Sequence, residues 1–299
     1  MSAPSSIGTV GFIGLGTMGR EMAINLAKAG HRVAAFDVRR EAAEALAPFG
    51  IRAVTSITDA SRGADAVITM LPDTPDVEAV VLGDGGLRAH PPEGKLVIDM
   101  STIAPGAVRR MHGELARAGI AFVDAPVSGG PIGAKNAALS IMAGGDAAAF
   151  DQARRFFTAM GTTITHVGES GAGQTVKLCN QLICGINIQA ICEALALGRA
   201  AGVDLQQLRK VLLGGSAASW MLDKLGTQMI EGDASAGFRI DLMLKDLRLV
   251  AQQAQETNVP LPATALVTSQ YLDARAHGEG GNGNQALFRV YDRMSAQVR

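Results

Sequence analysis

The sequence predicts an α/β protein with a doubly wound sheet in its N-terminal part, followed by a long interdomain helix and an all-α C-terminal domain. Three observations support this prediction. The length of 299 residues corresponds to about two domains. In the first half, short apolar runs rich in β-branched residues alternate with helical patterns, which is typical of βαβ units. After residue 168, only helical patterns follow.

Seven short runs in the first half predict strands. They are Val10–Ile13, Arg32–Phe36, Ala66–Met70, Leu96–Met100, Ile120–Val123, Leu139–Met142 and Thr163–His166. Most are nearly continuous apolar runs bounded by Gly, Pro or Asp, as expected of parallel strands that are buried on both faces. Helical patterns such as Arg20–Ala29 and Glu41–Ala47 lie between them. This alternation predicts the doubly wound sheet.

The turn-rich segment Gly168–Gly173 separates the two predicted domains, residues 1–168 and residues 169–299. A helical pattern then extends from about Gln174 to Ala201. No charged residue lies between Leu178 and Cys192, and apolar side chains surround this stretch, so we expect the helix to be buried on nearly all sides. The later helical patterns are Leu205–Leu213, Trp220–Ile230, Leu242–Glu256, Pro262–Ala276 and Asn284–Gln297.

Composition and charge exclude several classes of function. The 27 Lys and Arg residues balance 28 Asp and Glu residues, so the chain lacks the basic field of a nucleic-acid-binding or polybasic membrane-binding protein. Three cysteines without CxxC spacing indicate neither a disulfide framework nor a zinc site, and we expect no metal. No run of 18 apolar residues and no basic cluster in the first six residues occur, so we expect a cytoplasmic protein without a membrane span.

A glycine motif follows the first predicted strand and opens a helix. It has the pattern GxGxxG and comprises Gly14, Leu15, Gly16, Thr17, Met18 and Gly19. The first glycine of such a motif permits a tight turn, the second admits a pyrophosphate, and the third lets helix and strand pack closely. Asp37 ends the second strand, 23 residues after Gly14, where a carboxylate binds the ribose 2′-hydroxyl. The motif predicts a Rossmann-type dinucleotide site. The alternative is a methyltransferase, which also holds its cofactor on a glycine-rich loop after the first strand, but the glycine spacing suits a dinucleotide better.

The residues around Asp37 bear on the choice between NAD and NADP. A carboxylate at this position repels the 2′-phosphate of NADP, whereas Arg39 or Arg40 could bind that phosphate. The two arginines are more simply interpreted as solvated side chains at the start of a helix. We therefore expect NAD, with NADP as the alternative.

Lys177 stands out on physical grounds. It lies near the start of the most apolar helical pattern, with Asn180 and Gln181 three and four residues later on the same face. Burial disfavours the charged form of a lysine, so such a residue usually has a partner or a chemical task. The alternative is a lysine whose ammonium group reaches solvent from the first turn.

A second candidate segment is Asp124–Gly130, which follows the strand Ile120–Val123. The carboxyl ends of strands in open α/β sheets line the ligand crevice. Ser128, Gly129 and Gly130 offer a hydroxyl and unhindered backbone N–H groups, which suit a carboxylate. The alternative is an ordinary glycine turn.

Four segments together resemble the signature segments of the β-hydroxyacid dehydrogenases, the family of 3-hydroxyisobutyrate dehydrogenase and tartronate semialdehyde reductase. They are Gly11–Gly19, Asp124–Gly130, Gly171–Asn180 and Lys245–Leu247. Their order and spacing match over nearly the whole chain.

The resemblance implies roles for residues at the matching positions. Lys177 matches the catalytic lysine, which is a general acid toward the carbonyl oxygen in reduction and a base in the reverse direction. Ser128, Gly129 and Gly130 match the loop that binds the substrate carboxylate. Contacts with the cofactor are implied for Met70, Leu71, Pro72, Thr102 and Lys245, with Asp246 beside the last of these.

The resemblance also bears on the substrate. Asn180 is retained, whereas Gln181 stands where the family has a second asparagine that helps to fix the substrate hydroxyl. Gln181 and the segment Gly237–Leu242 resemble the tartronate semialdehyde reductase branch. The implied function is therefore an NAD(P)-dependent oxidoreductase that interconverts a small β-hydroxyacid and its semialdehyde, with 2-hydroxy-3-oxopropionate favoured. The alternatives are 3-hydroxyisobutyrate, serine and glyoxylate or succinic semialdehyde as substrates or, outside enzymes, a cofactor-sensing NAD-binding protein.

The long apolar helix predicts self-association. A helix that is apolar on every side needs packing partners on every side, and the small C-terminal domain offers few. We therefore expect a homodimer or homotetramer formed through the helical domain, as the resemblance also implies.

Overall fold

The computed structural model describes residues 7–296. The chain divides into two compact units, of which the first ends at Lys177 and the second begins at Leu178. The division therefore falls inside the long helix α8 (Ala172–Ala200). The predicted absence of a targeting signal concerns Met1–Ser6, which lie outside the described residues.

The first unit contains a nine-stranded sheet within the described residues. Its strands are β1 (Thr9–Ile13), β2 (Arg32–Phe36), β3 (Arg52–Ala53), β4 (Ala66–Thr69), β5 (Leu96–Asp99), β6 (Ala121–Asp124), β7 (Val127–Ser128), β8 (Leu139–Gly144) and β9 (Gly161–Gly168). The spatial order is β3-β2-β1-β4-β5-β6-β8-β7, and β9 also pairs with β8. The strands from β3 to β6 are parallel, and the direction of winding reverses between β1 and β4. Ligands of open α/β sheets bind at the carboxyl ends of the strands beside such a reversal.

Helices alternate with these strands. They are α1 (Thr17–Lys28), α2 (Arg40–Glu44), α3 (Ile57–Ser61), α4 (Thr74–Leu82), α5 (Pro105–Arg117), α6 (Gly130–Lys135) and α7 (Ala147–Phe157), with a short 3₁₀ helix at Ala47–Phe49. Strand residues such as Phe12, Ile68 and Ile98 are fully buried in the core of this unit. The predicted fold class, a doubly wound sheet followed by a long helix and a helical region, is confirmed.

The sheet differs from the sequence-based expectation in two respects. The two-residue strands β3 and β7 were not predicted, because so short a segment carries no periodicity. The segment around Thr163 was predicted among the buried parallel strands, but most of β9 is exposed or half-buried. β8 runs antiparallel to β6 and β7, so the far edge of the sheet is mixed.

The second unit is helical. After α8 it contains α9 (Leu205–Leu213), α10 (Trp220–Glu231), α11 (Ile240–Thr257), α12 (Pro262–Ala276), a 3₁₀ helix at Asn284–Leu287 and α13 (Phe288–Ala296). The bounds of α9 and α12 are those predicted. The single helix predicted over Asn284–Gln297 is instead a 3₁₀ turn followed by α13, and Gln297 lies outside the described residues.

The expectation that α8 is buried on nearly all sides is wrong for a single chain. Ile188 and Cys192 are fully buried in the core of the second unit, whereas Ile183 is 62% and Leu197 is 73% exposed. The reason is that the helices of the second unit cover only one side of α8. By length and composition α8 could also cross a membrane, but a core helix of a soluble protein meets the same criterion.

Candidate active site

The glycine motif connects β1 to α1 by close backbone approaches. Gly14 has a φ of +95°, and a Cβ at this position would lie 2.3 Å from the carbonyl oxygen of Met70. A Cβ on Gly19 would lie 2.0 Å from the carbonyl oxygen of Gly14. Side chains at these two positions would therefore push the turn away from β4 and α1 away from the turn.

Gly16 differs from its two neighbouring glycines. It is the N-cap residue of α1, no side chain caps this helix there, and a Cβ on Gly16 would meet nothing within 4 Å. Leu15 is buried, Met18 is half-buried and Thr17 is exposed. Open space in front of the first N–H groups of a helix fits a pyrophosphate. The residues present therefore fit a dinucleotide.

Asp37 follows β2 and is bound to the glycine motif. One carboxylate oxygen accepts a hydrogen bond of 2.7 Å from the backbone N–H of Leu15. The other accepts from the backbone N–H of Arg39 at 2.9 Å, and the Arg39 side chain forms an ion pair with it at 3.4 Å. Arg40 pairs instead with Glu44 on α2. Of the two arginines, Arg39 is thus the one that the structure places at Asp37.

The segments that follow β4 and β5 are linked by buried polar groups. Thr69 and Ser101 both donate hydrogen bonds to the same Asp99 oxygen, at 2.7 and 2.6 Å. The Ser101 hydroxyl in turn accepts from the backbone N–H of Leu71 at 2.8 Å. This network holds two predicted cofactor segments together, residues 70–72 and the residue after Ser101, Thr102. Sequence reasoning missed Asp99, although a polar residue ending an apolar strand is a usable signal.

The predicted carboxylate loop forms β7 and a tight turn into α6. Gly129 and Gly130 have φ values of +130° and +61°, which favour glycine. A Cβ on Gly130 would meet nothing within 4 Å, and Ser128 is half-buried. The space beside the turn at Gly130 is therefore open.

Lys177 lies in the second turn of α8 and is only 7% exposed, so its side chain is buried rather than extended into solvent. The first turn of α8 is held by Asp124, at the end of β6. Its carboxylate accepts hydrogen bonds from the backbone N–H groups of Gly171 at 2.8 Å and Gln174 at 2.9 Å. Burial raises the pKa of the Asp124 carboxyl to about 6, and the two N–H donors oppose this rise. Sequence reasoning did not single out Asp124 or Gln174.

In the second unit, a chain of hydrogen bonds connects α8 to α11. Asn180 donates its amide N–H to the Gln181 side-chain oxygen at 2.8 Å. Gln181 donates to Asp246 at 2.6 Å, and Asp246 pairs with Lys245 at 2.8 Å. Asp246 is 2% exposed, so a buried carboxylate sets the direction of the Gln181 amide. Sequence reasoning had placed Asp246 only beside Lys245.

The structure thus gathers the predicted residues into two groups, one in each unit. In the first unit, the segments after β1, β2, β4, β5 and β6 share the carboxyl edge of the parallel strands. In the second unit, Asn180, Gln181 and Lys245 are linked through Asp246. Among residues 7–296, no group of three or more His, Cys, Asp or Glu side chains is placed to hold a metal ion.

Two family models cover most of the chain. One, described as the NAD binding domain of 6-phosphogluconate dehydrogenase, matches residues 9–168. The other, described as NAD-binding of NADP-dependent 3-hydroxyisobutyrate dehydrogenase, matches residues 171–291.

Individual proteins resemble the chain over almost its full length. The 2-hydroxy-3-oxopropionate reductase of Escherichia coli is 40% identical, over 96% of this chain and 98% of its own. The NAD-dependent L-serine dehydrogenase of Pseudomonas aeruginosa is 41% identical, over 96% and 99%. The structure of 3-hydroxyisobutyrate dehydrogenase from Mycobacterium tuberculosis with L-serine has a TM-score of 0.87 and 33% identity, over 95% of this chain and 99% of that one.

Proposed function

The chain belongs to the 3-hydroxyisobutyrate dehydrogenase family of NAD(P)-dependent β-hydroxyacid dehydrogenases, and we propose that its own reaction is the reversible reduction of tartronate semialdehyde (2-hydroxy-3-oxopropionate). The observation that carries the proposed dehydrogenase chemistry is the burial of Lys177, 7% exposed, on a helix whose first turn is bound to the sheet edge. A buried lysine at such a place is suited to proton transfer.

The N-terminal unit would hold the cofactor. Gly16 and the first N–H groups of α1 would receive the pyrophosphate, and Asp37 would accept hydrogen bonds from the adenosine ribose. The segments at residues 70–72 and Thr102 would contact the remainder of the dinucleotide. A bound nicotinamide supplies the hydride for the aldehyde carbon.

We expect NAD rather than NADP. The charge of Arg39 is already paired with Asp37, and that of Arg40 with Glu44, so neither arginine is committed to a 2′-phosphate. A 2′-phosphate would instead approach the Asp37 carboxylate, which repels it.

Lys177 would donate a proton to the carbonyl oxygen during reduction and take it back during oxidation. Asn180 and Gln181 would stabilise the negative charge that develops on this oxygen. Ser128, Gly129 and Gly130 would bind the substrate carboxylate and so orient the carbonyl carbon. Lys245 is proposed on the cofactor side from the resemblance alone.

Gln181 supports tartronate semialdehyde over 3-hydroxyisobutyrate. The Gln181 amide is hydrogen-bonded to Asp246 and Asn180. The surface of α8 at Gln181 is therefore polar. Tartronate semialdehyde carries a hydroxyl where 3-hydroxyisobutyrate carries a methyl group, and a hydroxyl is better matched to a polar surface. L-Serine is the second candidate, since a relative named as an L-serine dehydrogenase is 41% identical.

A substrate panel tests this proposal. The panel reduces tartronate semialdehyde, glyoxylate and succinic semialdehyde with NADH or NADPH, and oxidises 3-hydroxyisobutyrate and L-serine with NAD⁺ or NADP⁺. We expect the highest kcat/KM with tartronate semialdehyde and NADH. A preference for 3-hydroxyisobutyrate or L-serine would reject the substrate assignment, and a preference for NADPH would reject the role of Asp37.

Lys177→Ala tests the proton donor. Loss of general acid catalysis costs about 10²–10⁴-fold, so we expect kcat to fall by that factor while the Kd for NADH stays unchanged. Lys210→Ala, on the exposed side of α9, is the matched control and should retain full activity. Turnover of Lys177→Ala near the unsubstituted level would reject Lys177 as the proton donor.

We also propose that the helical unit serves substrate binding and self-association, as a homodimer or homotetramer. The exposed apolar side chains of α8, Val176, Ile183 and Leu197, support a second copy as the missing partner of this face. In this proposal α8 is a core helix of the assembly and not a membrane span. The enzyme is cytoplasmic and has no nucleic-acid or membrane partner.

A further inference from the structure

Asp124 is a fully buried carboxylate of the first unit that the proposed chemistry does not use. One of its carboxylate oxygens accepts from the backbone N–H of Gly171, which immediately precedes α8, and the other accepts from that of Gln174 in the first turn. A carboxylate at a helix N-terminus satisfies N–H groups that have no partner inside the helix, and it interacts favourably with the helix dipole. One residue of β6 therefore determines where α8 begins.

Two glycines make room for this junction. A Cβ on Gly173 would lie 2.4 Å from the carbonyl oxygen of Met142 and 2.8 Å from an Asp124 carboxylate oxygen. A Cβ on Gly144 would lie 2.7 Å from the other Asp124 oxygen and 2.8 Å from the backbone nitrogen of Gly173. Any side chain at either position would separate α8 from the sheet. The signature segments at 124–130 and 171–180 thus meet each other at this junction.

The Gln174 side chain adds a second connection. It is fully buried, its oxygen accepts from the backbone N–H of Ile103 at 3.1 Å, and its amide donates to the carbonyl oxygen of Ser101 at 2.8 Å. Residues 101–103 follow β5 and include Thr102, a proposed cofactor contact. The first turn of α8 is therefore bound to the ends of both β5 and β6.

Lys177 follows Gln174 by three residues, which is less than one helical turn. Because an α-helix is stiff over that distance, the position of the Lys177 side chain follows the position of the first turn. We propose that Asp124 is a positioning residue that, together with Gln174, fixes the start of α8 and thereby places the Lys177 ammonium group for proton transfer. This inference rests on the proposed role of Lys177.

Burial raises the pKa of the Asp124 carboxyl, whereas its two backbone N–H donors favour the ionised form. In the ionised form both oxygens accept from the start of α8, and protonation turns one of them into a hydroxyl group. The charged residues on the elements next to the junction are Asp99, the last residue of β5, Arg109 on α5, whose side chain approaches Gly171, and Glu169 before α8. Of these, the Asp99 charge acts on Asp124 and raises its pKa further.

Asp124→Asn tests the proposal, because the asparagine amide group cannot accept one of the two N–H bonds. A misplacement of about 1 Å can cost 10²-fold in rate, so we expect kcat for reduction to fall about 10–100-fold, with the Kd for NADH within about twofold. Asp204→Asn is the matched control. Asp204 caps the N-terminus of α9 by a 2.8 Å bond from Gln207, in an exposed position.

The pH profile separates positioning from simple stability. Lys177 acts in its protonated form during reduction, so low pH does not lower the activity through Lys177. Protonation of Asp124 should, by contrast, lower kcat below about pH 6. We expect this acid limb in the unsubstituted enzyme and in Asp204→Asn, and a flat profile over the same range in Asp124→Asn. The substrate is tartronate semialdehyde with NADH, because the phosphomonoester of NADPH itself titrates near pH 6. An acid limb that persists in Asp124→Asn, or an unchanged kcat, would overturn the proposal.

Amide hydrogen exchange tests the same idea without any activity. Exchange over residues 171–177 should rise in Asp124→Asn and not in Asp204→Asn. Unchanged exchange would reject the positioning role even if the enzyme is active, whereas absence of turnover with every panel substrate would reject only the proposed function.

Gly173→Ala provides a second variant should Asp124→Asn fail to fold. Its Cβ would displace the first turn of α8, so it should lower kcat and leave NADH binding intact. Gly113→Ala, a helical glycine of α5 whose Cβ would meet nothing within 4 Å, is its control. Full activity of Gly173→Ala would contradict the inference.

Discussion

Gly16→Ala separates a phosphate-binding role of the glycine motif from a purely structural one. The backbone of Gly16 has φ −65° and ψ −168°, which alanine adopts without strain, and its Cβ would meet nothing within 4 Å. Alanine is a poorer N-cap than glycine by about 0.5–1 kcal/mol, but it reduces the entropy of the unfolded chain by about 0.4–1 kcal/mol. These effects oppose each other, so the Tm should change by no more than about 3 °C.

Cofactor affinity should respond quite differently. The added methyl group would occupy the space proposed for the pyrophosphate, and overpacking of this kind costs about 1–3 kcal/mol. The Kd for NADH should therefore rise about 5–150-fold. Titration of the nicotinamide fluorescence or of the heat of binding measures this change, and a thermal melt of the same sample measures the Tm.

Two matched variants complete the test. Gly19→Ala should lower both stability and affinity, because its Cβ would lie 2.0 Å from the carbonyl oxygen of Gly14. Gly113→Ala on α5 should lower neither. If Gly16→Ala folds normally and binds NADH within twofold of the original affinity, this loop does not hold the pyrophosphate and the reasoning is refuted.

Two further predictions concern stability and assembly. Burial lowers the pKa of His31, whose Nδ1 accepts a hydrogen bond from the Gly8 N–H, so the folded state keeps this imidazole neutral. The stabilising contribution of His31 is complete above pH 6.5 and is lost as the pH falls below that value. The difference in the free energy of unfolding in urea between the unsubstituted protein and His31→Asn should therefore shrink from pH 7.5 to 5.5. A difference that stays constant would contradict this prediction. The second prediction concerns assembly. The double variant Ile183→Glu with Leu197→Glu should sediment more like a monomer, because each substitution removes about 1.5–3 kcal/mol of free energy gained by burying an apolar side chain in the interface. Val259→Glu, an exposed apolar residue outside α8, is the control, and a mass that these α8 substitutions leave unchanged would place the interface elsewhere.

The residues at the candidate site divide according to how far along the chain their partners lie. The glycine motif and Asp37 are separated by one βα unit, and their relation follows from a spacing that the sequence displays. Lys177, Asn180 and Gln181 share one helix, so their common face follows from the helical repeat. These residues could be predicted because the local geometry of a turn or a helix connects them.

Other residues depend on pairings that no local pattern displays. Asp124 and Gly171 are 47 positions apart, and Gln181 and Asp246 are 65 positions apart. Asp124 looked like the first residue of a loop, and Gln174 like an ordinary helical residue. Their partners became visible only when β5, β6 and α8 were placed together, because a buried carboxylate or amide is bound by whichever donors the fold brings to it.

The longer strands and helices, the doubly wound fold class and the dinucleotide motif were determined by the sequence itself, since apolar periodicity and glycine spacing act over a few residues. The burial of α8 was not. Its composition is apolar on every side, yet Ile183 and Leu197 remain exposed in a single chain while Ile188 is buried. Which side of such a helix is covered depends on the number and direction of the helices packed against it, and only the tertiary structure decides that.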